Sequence, residues 1–184
     1  MTWKIQQNVL KQKKESITPN DIVITAKGIK KPRDQALFVI LYLTAARISE
    51  VVGTLYRKDI SQQEVDCRRI ILFRLNNRKH KEKKFKDIPV PYEKEKELLE
   101  LIFPWLESKQ LETRLFDFSK TRGYQIIKKE TGWNPHWIRH IRLTNLAVYN
   151  DFNDQLLVKF AGWTDSRPSK AYMEVKWKDI LQKY

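Results

Sequence analysis

Ala36-Leu37-Phe38-Val39-Ile40-Leu41-Tyr42-Leu43-Thr44-Ala45-Ala46-Arg47-Ile48-Ser49-Glu50 decides the fold. Its first part is apolar on every helical face, so a helix there has no side to offer water and must lie inside a helical body. Pro32-Arg33-Asp34 restarts the chain just before it, with Asp34 placed to cap the helix. Behind Ala45-Ala46, the residues Ile48, Val51, Val52 and Leu55 recur at the spacing of a second amphipathic helix. Arg47 therefore falls at the junction of two helices, with its guanidinium projecting from the seam.

Downstream, Val65 to Leu75 has strand character, with Ile71, Phe73 and Leu75 alternating against Leu72 and Arg74. Asn76-Asn77 breaks the pattern, a lysine-rich tip follows, and Phe85 to Pro91 returns as an edge strand ended by prolines, which cannot donate to a ladder. The prediction is a β-hairpin with a long basic tip. Glu93 to Leu106 reads as an amphipathic helix with Leu98, Leu99, Leu101 and Ile102 inward, and Gly123 to Glu130 as another, closed by Thr131-Gly132. Asn134 stands at an N-cap position with Pro135 at the first helical position, opening a helix that places His136, Arg139 and His140 on one face. Leu156 to Ala161 is a short helix stopped at Gly162, and Pro168 to Tyr172 begins a last turn or helix.

Upstream, Pro19-Asn20-Asp21 is a turn signal and Ile22-Val23-Ile24 looks extended. Residues 1–30 are expected to be a peripheral segment and 31–184 one domain. The predicted class is α+β, mainly α-helical: a helical bundle with a small antiparallel hairpin or sheet on one side.

The 184 residues carry 36 Lys and Arg against 22 Asp and Glu, a formal charge of +14 that favours phosphate backbones as partners. Six Trp, seven Tyr and eight Phe suffice for a real core, which excludes a largely disordered chain. The single cysteine, Cys67, cannot form an internal disulfide, and no Cys/His cluster has zinc-ligand spacing. Met1 to Gln7 has no apolar leader core, and the run Ala36 to Thr44 is too short to cross a bilayer. A cytoplasmic, reducing setting is expected, with no cofactor, metal, nucleotide or membrane partner.

Arginines, lysines, a histidine and a tyrosine are the groups that attack on a phosphodiester requires. Tyrosine, with a pKa near 10, is a weak nucleophile and needs a phosphate made electrophilic by cations. Arg47 and Arg139 suit that task, since each planar fork grips two non-bridging oxygens and stays charged. A hairpin lysine can protonate the departing 5′-oxygen, and His136 can donate to the phosphate or take the tyrosine proton. Each residue also has a plainer role. Arg47 and Glu50 could be an ordinary i,i+3 ion pair, His136 a first-turn residue, and Trp163 a packed aromatic.

In their order and spacing these motifs resemble the catalytic domain of the tyrosine recombinases, or phage-type integrases: Arg47-Ile48-Ser49-Glu50, a lysine-bearing hairpin, His136-Trp137-Ile138-Arg139-His140, Gly162-Trp163, and Tyr172 nine residues beyond Trp163. The resemblance covers about residues 35–175. It implies Arg47, His136, Arg139, Trp163 and Tyr172 as catalytic residues, with Glu50 and His140 supporting them. Counting eight residues back from Pro89 makes Lys81 the catalytic hairpin lysine, and the longer tip leaves Lys79 as the alternate. Trp163 departs from the family's more frequent histidine but keeps an N–H donor. Tyr149 and Tyr184 lack the family position.

The resemblance further implies site-specific DNA recombination or integration: metal-free strand cleavage through a covalent 3′-phosphotyrosine, a free 5′-hydroxyl, and rejoining within a homo-tetramer on double-stranded DNA, the isolated chain being a monomer. The family's amino-terminal core-binding domain has no counterpart in the thirty residues before the pattern, so an excised catalytic domain or a natural short form is expected. The expected setting is the nucleoid of a bacterial or archaeal host, or a virus or plasmid, with lysine and glutamate usage pointing to a heat-loving archaeon. Two rivals carry the same residues: a type IB topoisomerase that relaxes DNA without exchanging strands, and an inactive DNA-binding relative.

Overall fold

The computed structural model describes residues 17–76 and 85–169. The first helix, α1 (Pro19–Gly28), occupies the stretch that the sequence suggested was a turn and an extended segment. The correction has a local cause. Thr18 and Asp21 form a capping box, the Asp21 N–H donating to Thr18 Oγ1 at 3.3 Å and the Thr18 N–H to Asp21 Oδ2 at 2.8 Å, with Pro19 at the first position. Helix initiation thus outweighs the β-branched run, and Ile22 and Ala26, one turn apart, are fully buried while Ile24 faces out.

The apolar run forms α2 (Pro32–Thr44), buried from Ala36 to Thr44 as its composition requires. Its N-cap is Lys31 rather than Asp34, which sits inside the first turn, buried and paired with Arg33 at 3.0 Å. Ala45, with φ of 45°, ends the helix in the left-handed region. The following helix, α3 (Ile48–Val51), is a single turn, shorter than the spacing through Leu55 suggested. The chain leaves it at Val52 and Gly53, and Leu55 reaches the core from a turn.

A three-stranded antiparallel sheet follows, ordered β1 (Ile60–Val65), β2 (Arg68–Asn76) and β3 (Phe85–Pro91). β1 went unnoticed in the sequence because only Ile60 is buried, so Ser61-Gln62-Gln63-Glu64 shows no apolar alternation. Val65 closes this strand rather than opening the next. Asp66 and Cys67, at φ of 50° and 58°, make the two-residue turn to β2, as a tight hairpin of matching twist requires. In β2 Ile71, Phe73 and Leu75 face the core as predicted, and β3 is an edge strand.

The remaining helices are α4 (Lys96–Glu107), α5 (Lys120–Thr131), α6 (Pro135–Tyr149) and α7 (Asp154–Ala161). Ser119, Asn134 and Asn153 cap α5, α6 and α7 through their side-chain oxygens, and Gly132 and Gly162 end α5 and α7 with positive φ. Helix α2 packs against α1, α4, α5 and α6, while the sheet joins it through β3 and α3. Mainly helical with a small antiparallel sheet on one side, the architecture is the predicted class.

One polar cluster fixes α6 against α2. Arg142 pairs with Glu95 at 2.6 Å, its guanidinium lies 5.0 Å from the Tyr42 ring centroid, and Asn145 Nδ2 donates to Tyr42 Oη at 3.0 Å. Burial pushes the Tyr42 hydroxyl above its ordinary pKa, so it stays neutral and able to accept. Tyr42→Phe should strand the buried Asn145 amide and lower the unfolding free energy by about 1–3 kcal/mol in urea titrations. An unchanged midpoint would mean that this hydrogen bond does not help hold the two helices.

Candidate functional site

The site is built where α2 ends, α3 begins and α7 ends, with α6 behind. Carbonyl groups at a helix C-terminus have no intrahelical donors and carry the negative end of the helix dipole. Arg139, the fifth residue of α6 and 3% exposed, satisfies two such carbonyls. Its Nη1 donates to the Ala45 oxygen past the end of α2, and its Nη2 to the Ala161 oxygen at the end of α7, the latter at 2.9 Å. Its guanidinium also lies 5.7 Å from the Trp163 ring centroid.

Arg47 is the N-cap of α3, its side chain 27% exposed. Glu50, one turn on, is only 2% exposed and grips Arg47 twice: the Arg47 N–H donates to Oε2 at 3.0 Å and Nη1 to Oε1 at 2.8 Å. The i,i+3 partner is therefore the one an ordinary ion pair would have, but the carboxylate is buried, unlike a surface pair's.

The sequence did not single out Lys86, the second residue of β3. Its side chain is 9% exposed and its Nζ stands 3.3 Å from Glu50 Oε2, with no hydrogen-bond partner among the described residues. Its aliphatic stem runs past Gly162, where an added Cβ would stand 3.5 Å from Lys86 Cδ. The usable clue was the period of two in the strand. Lys86, Ile88 and Val90 share the inward face, while Phe85 points out and is 52% exposed. Lys79 and Lys81, the lysines expected to be catalytic, lie outside the described residues.

Burial foremost, helped by the nearby Arg139 and Arg47 guanidiniums and opposed by Glu50, lowers Lys86 from 10.5 to about 8. For Glu50, burial pushes the carboxyl up, but Lys86 and the Arg47 donors outweigh it and hold it below the ordinary carboxylate range. Arg47 and Lys86 thus share the ionised carboxylate of Glu50, and Arg139 is near enough to act on the lysine.

His136 and His140, one turn apart on α6, touch edge to face with ring centroids 4.5 Å apart and Nε2 atoms 3.0 Å apart. At that distance one nitrogen donates and the other accepts, which fixes opposite roles on the two facing nitrogens. Trp163 is half-buried, its backbone N–H bonded to the Val158 oxygen at 3.0 Å. Ser169 is fully buried and held by Asp154 and Ser166, three residues before Tyr172. Tyr172 and Tyr184 lie outside the described residues, and Tyr149 is half exposed at the end of α6. Among the described residues, no three or more His, Cys, Asp or Glu come together as a metal site, and no helix is long and apolar enough to cross a membrane.

A lysine whose folded pKa lies below its unfolded value weakens the fold while it is charged, and the penalty fades as pH rises from 8 to 10.5. Lys86→Met should therefore raise the unfolding free energy by roughly 3 kcal/mol at pH 7. The gain should shrink toward zero by about pH 10.5 in parallel urea titrations. A gain that does not vary with pH would show that the ammonium carries no such cost.

No family sequence model and no curated protein matches the sequence. Solved structures do. XerH site-specific recombinase bound to difH substrate in a pre-cleavage complex is 15% identical with a TM-score of 0.62, over 90% of this chain and 51% of that one. XerH bound to palindromic difH in a post-cleavage complex is 14% identical with a TM-score of 0.66, over 91% of this chain and 51% of that one. XerA recombinase is 18% identical with a TM-score of 0.62, over 89% of this chain and 60% of that one. The chain spans about half of the length of the XerH structures and 60% of XerA. It has the fold of the tyrosine recombinase catalytic domain.

Proposed function

We propose that the chain is a DNA breaking and rejoining enzyme of the site-specific recombinase type, acting through Tyr172. The observation that carries this reading is the neighbourhood of Arg47, Lys86 and Arg139 beside Glu50, set on a fold shared with recombinases bound to DNA. A backbone phosphate is the anion that this group of cations, in a chain of formal charge +14, attracts.

In the proposed reaction Arg47 and Arg139 draw charge from the non-bridging oxygens, and the Trp163 indole N–H adds a neutral donor. Tyr172 Oη attacks phosphorus and loses its proton to the His136/His140 pair. The bond from phosphorus to the 5′-oxygen breaks, leaving a 3′-phosphotyrosine, and the 5′-oxygen takes a proton from Lys81 or Lys79. Reversal with a different 5′-hydroxyl rejoins the strand. A tetramer on duplex DNA is the arrangement in which that hydroxyl comes from a second duplex.

A duplex nicked next to the cleavage point loses the short 5′-hydroxyl fragment and so traps the adduct. Wild type should yield covalent protein, and Tyr172→Phe should bind the duplex equally but yield none. An adduct that persists in Tyr172→Phe would move the role to Tyr149 or Tyr184, and no adduct from wild type on any duplex would leave a DNA-binding protein. Strand transfer to a second duplex distinguishes recombination from simple relaxation.

Arg47→Ala should slow cleavage by about 10²–10³ while duplex affinity falls much less, because the guanidinium serves the charge of the transition state. Arg139 also holds two helix ends, so the informative change is Arg139→Lys, which keeps the charge and loses the fork. It should fold and bind but cleave slowly, and equal losses of binding and cleavage would make Arg139 purely structural. Raising salt from 50 to 200 mM should weaken duplex binding steeply in fluorescence anisotropy, and a flat response would exclude a phosphate-dominated interface.

A further inference from the structure

We propose that Lys86 is a positioning residue that acts through Glu50 to keep Arg47 available to the scissile phosphate; the proposal rests on the reading of the site given above. Strand β3 places Lys86 inward and leaves Phe85 in water, the reverse of what burial of apolar surface favours. The interior it enters holds Arg47 and Arg139, both of which raise the cost of its charge. A side chain that destabilises the fold and is shielded from solvent earns its position through what it does to its neighbours.

The groups facing Lys86 define that effect. From α3 comes Glu50, from the α3 N-cap Arg47, from α6 Arg139, and from the end of α7 the backbone of Gly162. Glu50 Oε2 accepts the Arg47 N–H and faces the Lys86 ammonium, while Oε1 takes the Arg47 guanidinium. With Lys86 charged, the negative charge of Glu50 is shared between two cations. Without it, the whole carboxylate charge falls on Arg47 and draws the guanidinium away from an incoming phosphate. Lys86 also ties the base of the basic hairpin to the helix that bears Arg47, so strand and helix present their cations in fixed relation.

Cleavage of the nicked duplex by the full chain, compared for wild type, Lys86→Met, Lys86→Arg, Glu50→Gln and the Lys86→Met/Glu50→Gln double variant, tests this. Lys86→Met should cut about 10- to 100-fold more slowly while duplex affinity falls much less, since a small misplacement of a catalytic group costs that much. Lys86→Arg should recover most of the rate. The double variant should be no slower than Lys86→Met alone, because with the Glu50 charge gone there is nothing left to share. Additive losses, or a Lys86→Met enzyme as fast as wild type, overturn the proposal. A bridging 5′-phosphorothiolate, whose leaving group needs no proton, should not rescue Lys86→Met, and rescue would make Lys86 a proton donor instead. A second readout is independent of cleavage. The Arg47 Nε resonance, assigned by its loss in Arg47→Lys, should shift in Lys86→Met and return in Lys86→Arg. If wild type forms no adduct, the reading of the reaction fails while this resonance still decides the role of Lys86, and an unmoved resonance refutes it.

Discussion

Placing Lys86 and Arg139 inside the protein within the field of Arg47 removes two cations from water, and Glu50 is the carboxylate set among them. The return on that desolvation is incomplete, which shows in the lysine: its proton is held less tightly than in water even though a carboxylate stands 3.3 Å away. The surrounding scaffold keeps these cations together against their mutual repulsion. Helix α2 supplies the means, since its fully apolar wall lets α1, α4, α5 and α6 pack around it and fixes the directions in which its C-terminus and the α6 face point.

Two helix ends do the rest. The α2 carbonyl at Ala45 and the α7 carbonyl at Ala161 would be unsatisfied inside the protein, and one guanidinium from α6 meets both. Arg139 is therefore at once a clip for three helices and a source of positive potential at their junction. Farther along α6, Arg142 and Asn145 lock the same helix to Glu95 and Tyr42, so the register that places Arg139 is held one turn beyond it as well. A structural and a chemical role for Arg139 do not compete, because the geometry that satisfies the carbonyls is also what fixes the cation in space.

The helices were legible wherever a chemical start and stop coincided with apolar periodicity: Asn134-Pro135 for α6, Gly132 and Gly162 for the ends of α5 and α7. They were misread where those cues disagreed. At α1 the β-branched Ile22-Val23-Ile24 suggested an extended chain, and the Thr18 to Asp21 capping box was the stronger signal. At β1 both faces are wet, so the alternation that marks a strand was never written into Ser61-Gln62-Gln63-Glu64. Arg47, Glu50 and Arg139, which the structure brings near Lys86, stand in short motifs whose spacing made them visible. Lys86 was hidden among the other lysines of its hairpin, and only the alternation with Ile88 and Val90 set it apart.

That alternation turns a cation rather than an apolar side chain toward Glu50, Arg47 and Arg139. A guanidinium at this point of β3 would keep the charge that Glu50 shares, as Lys86→Arg is expected to do. An ammonium lowered to about 8 still carries its proton at neutral pH, at a cost set by burial and by the two guanidiniums that Glu50 offsets only in part. Helix ends and Glu50 hold the two arginines, and the strand contributes the cation that shares the Glu50 charge with Arg47.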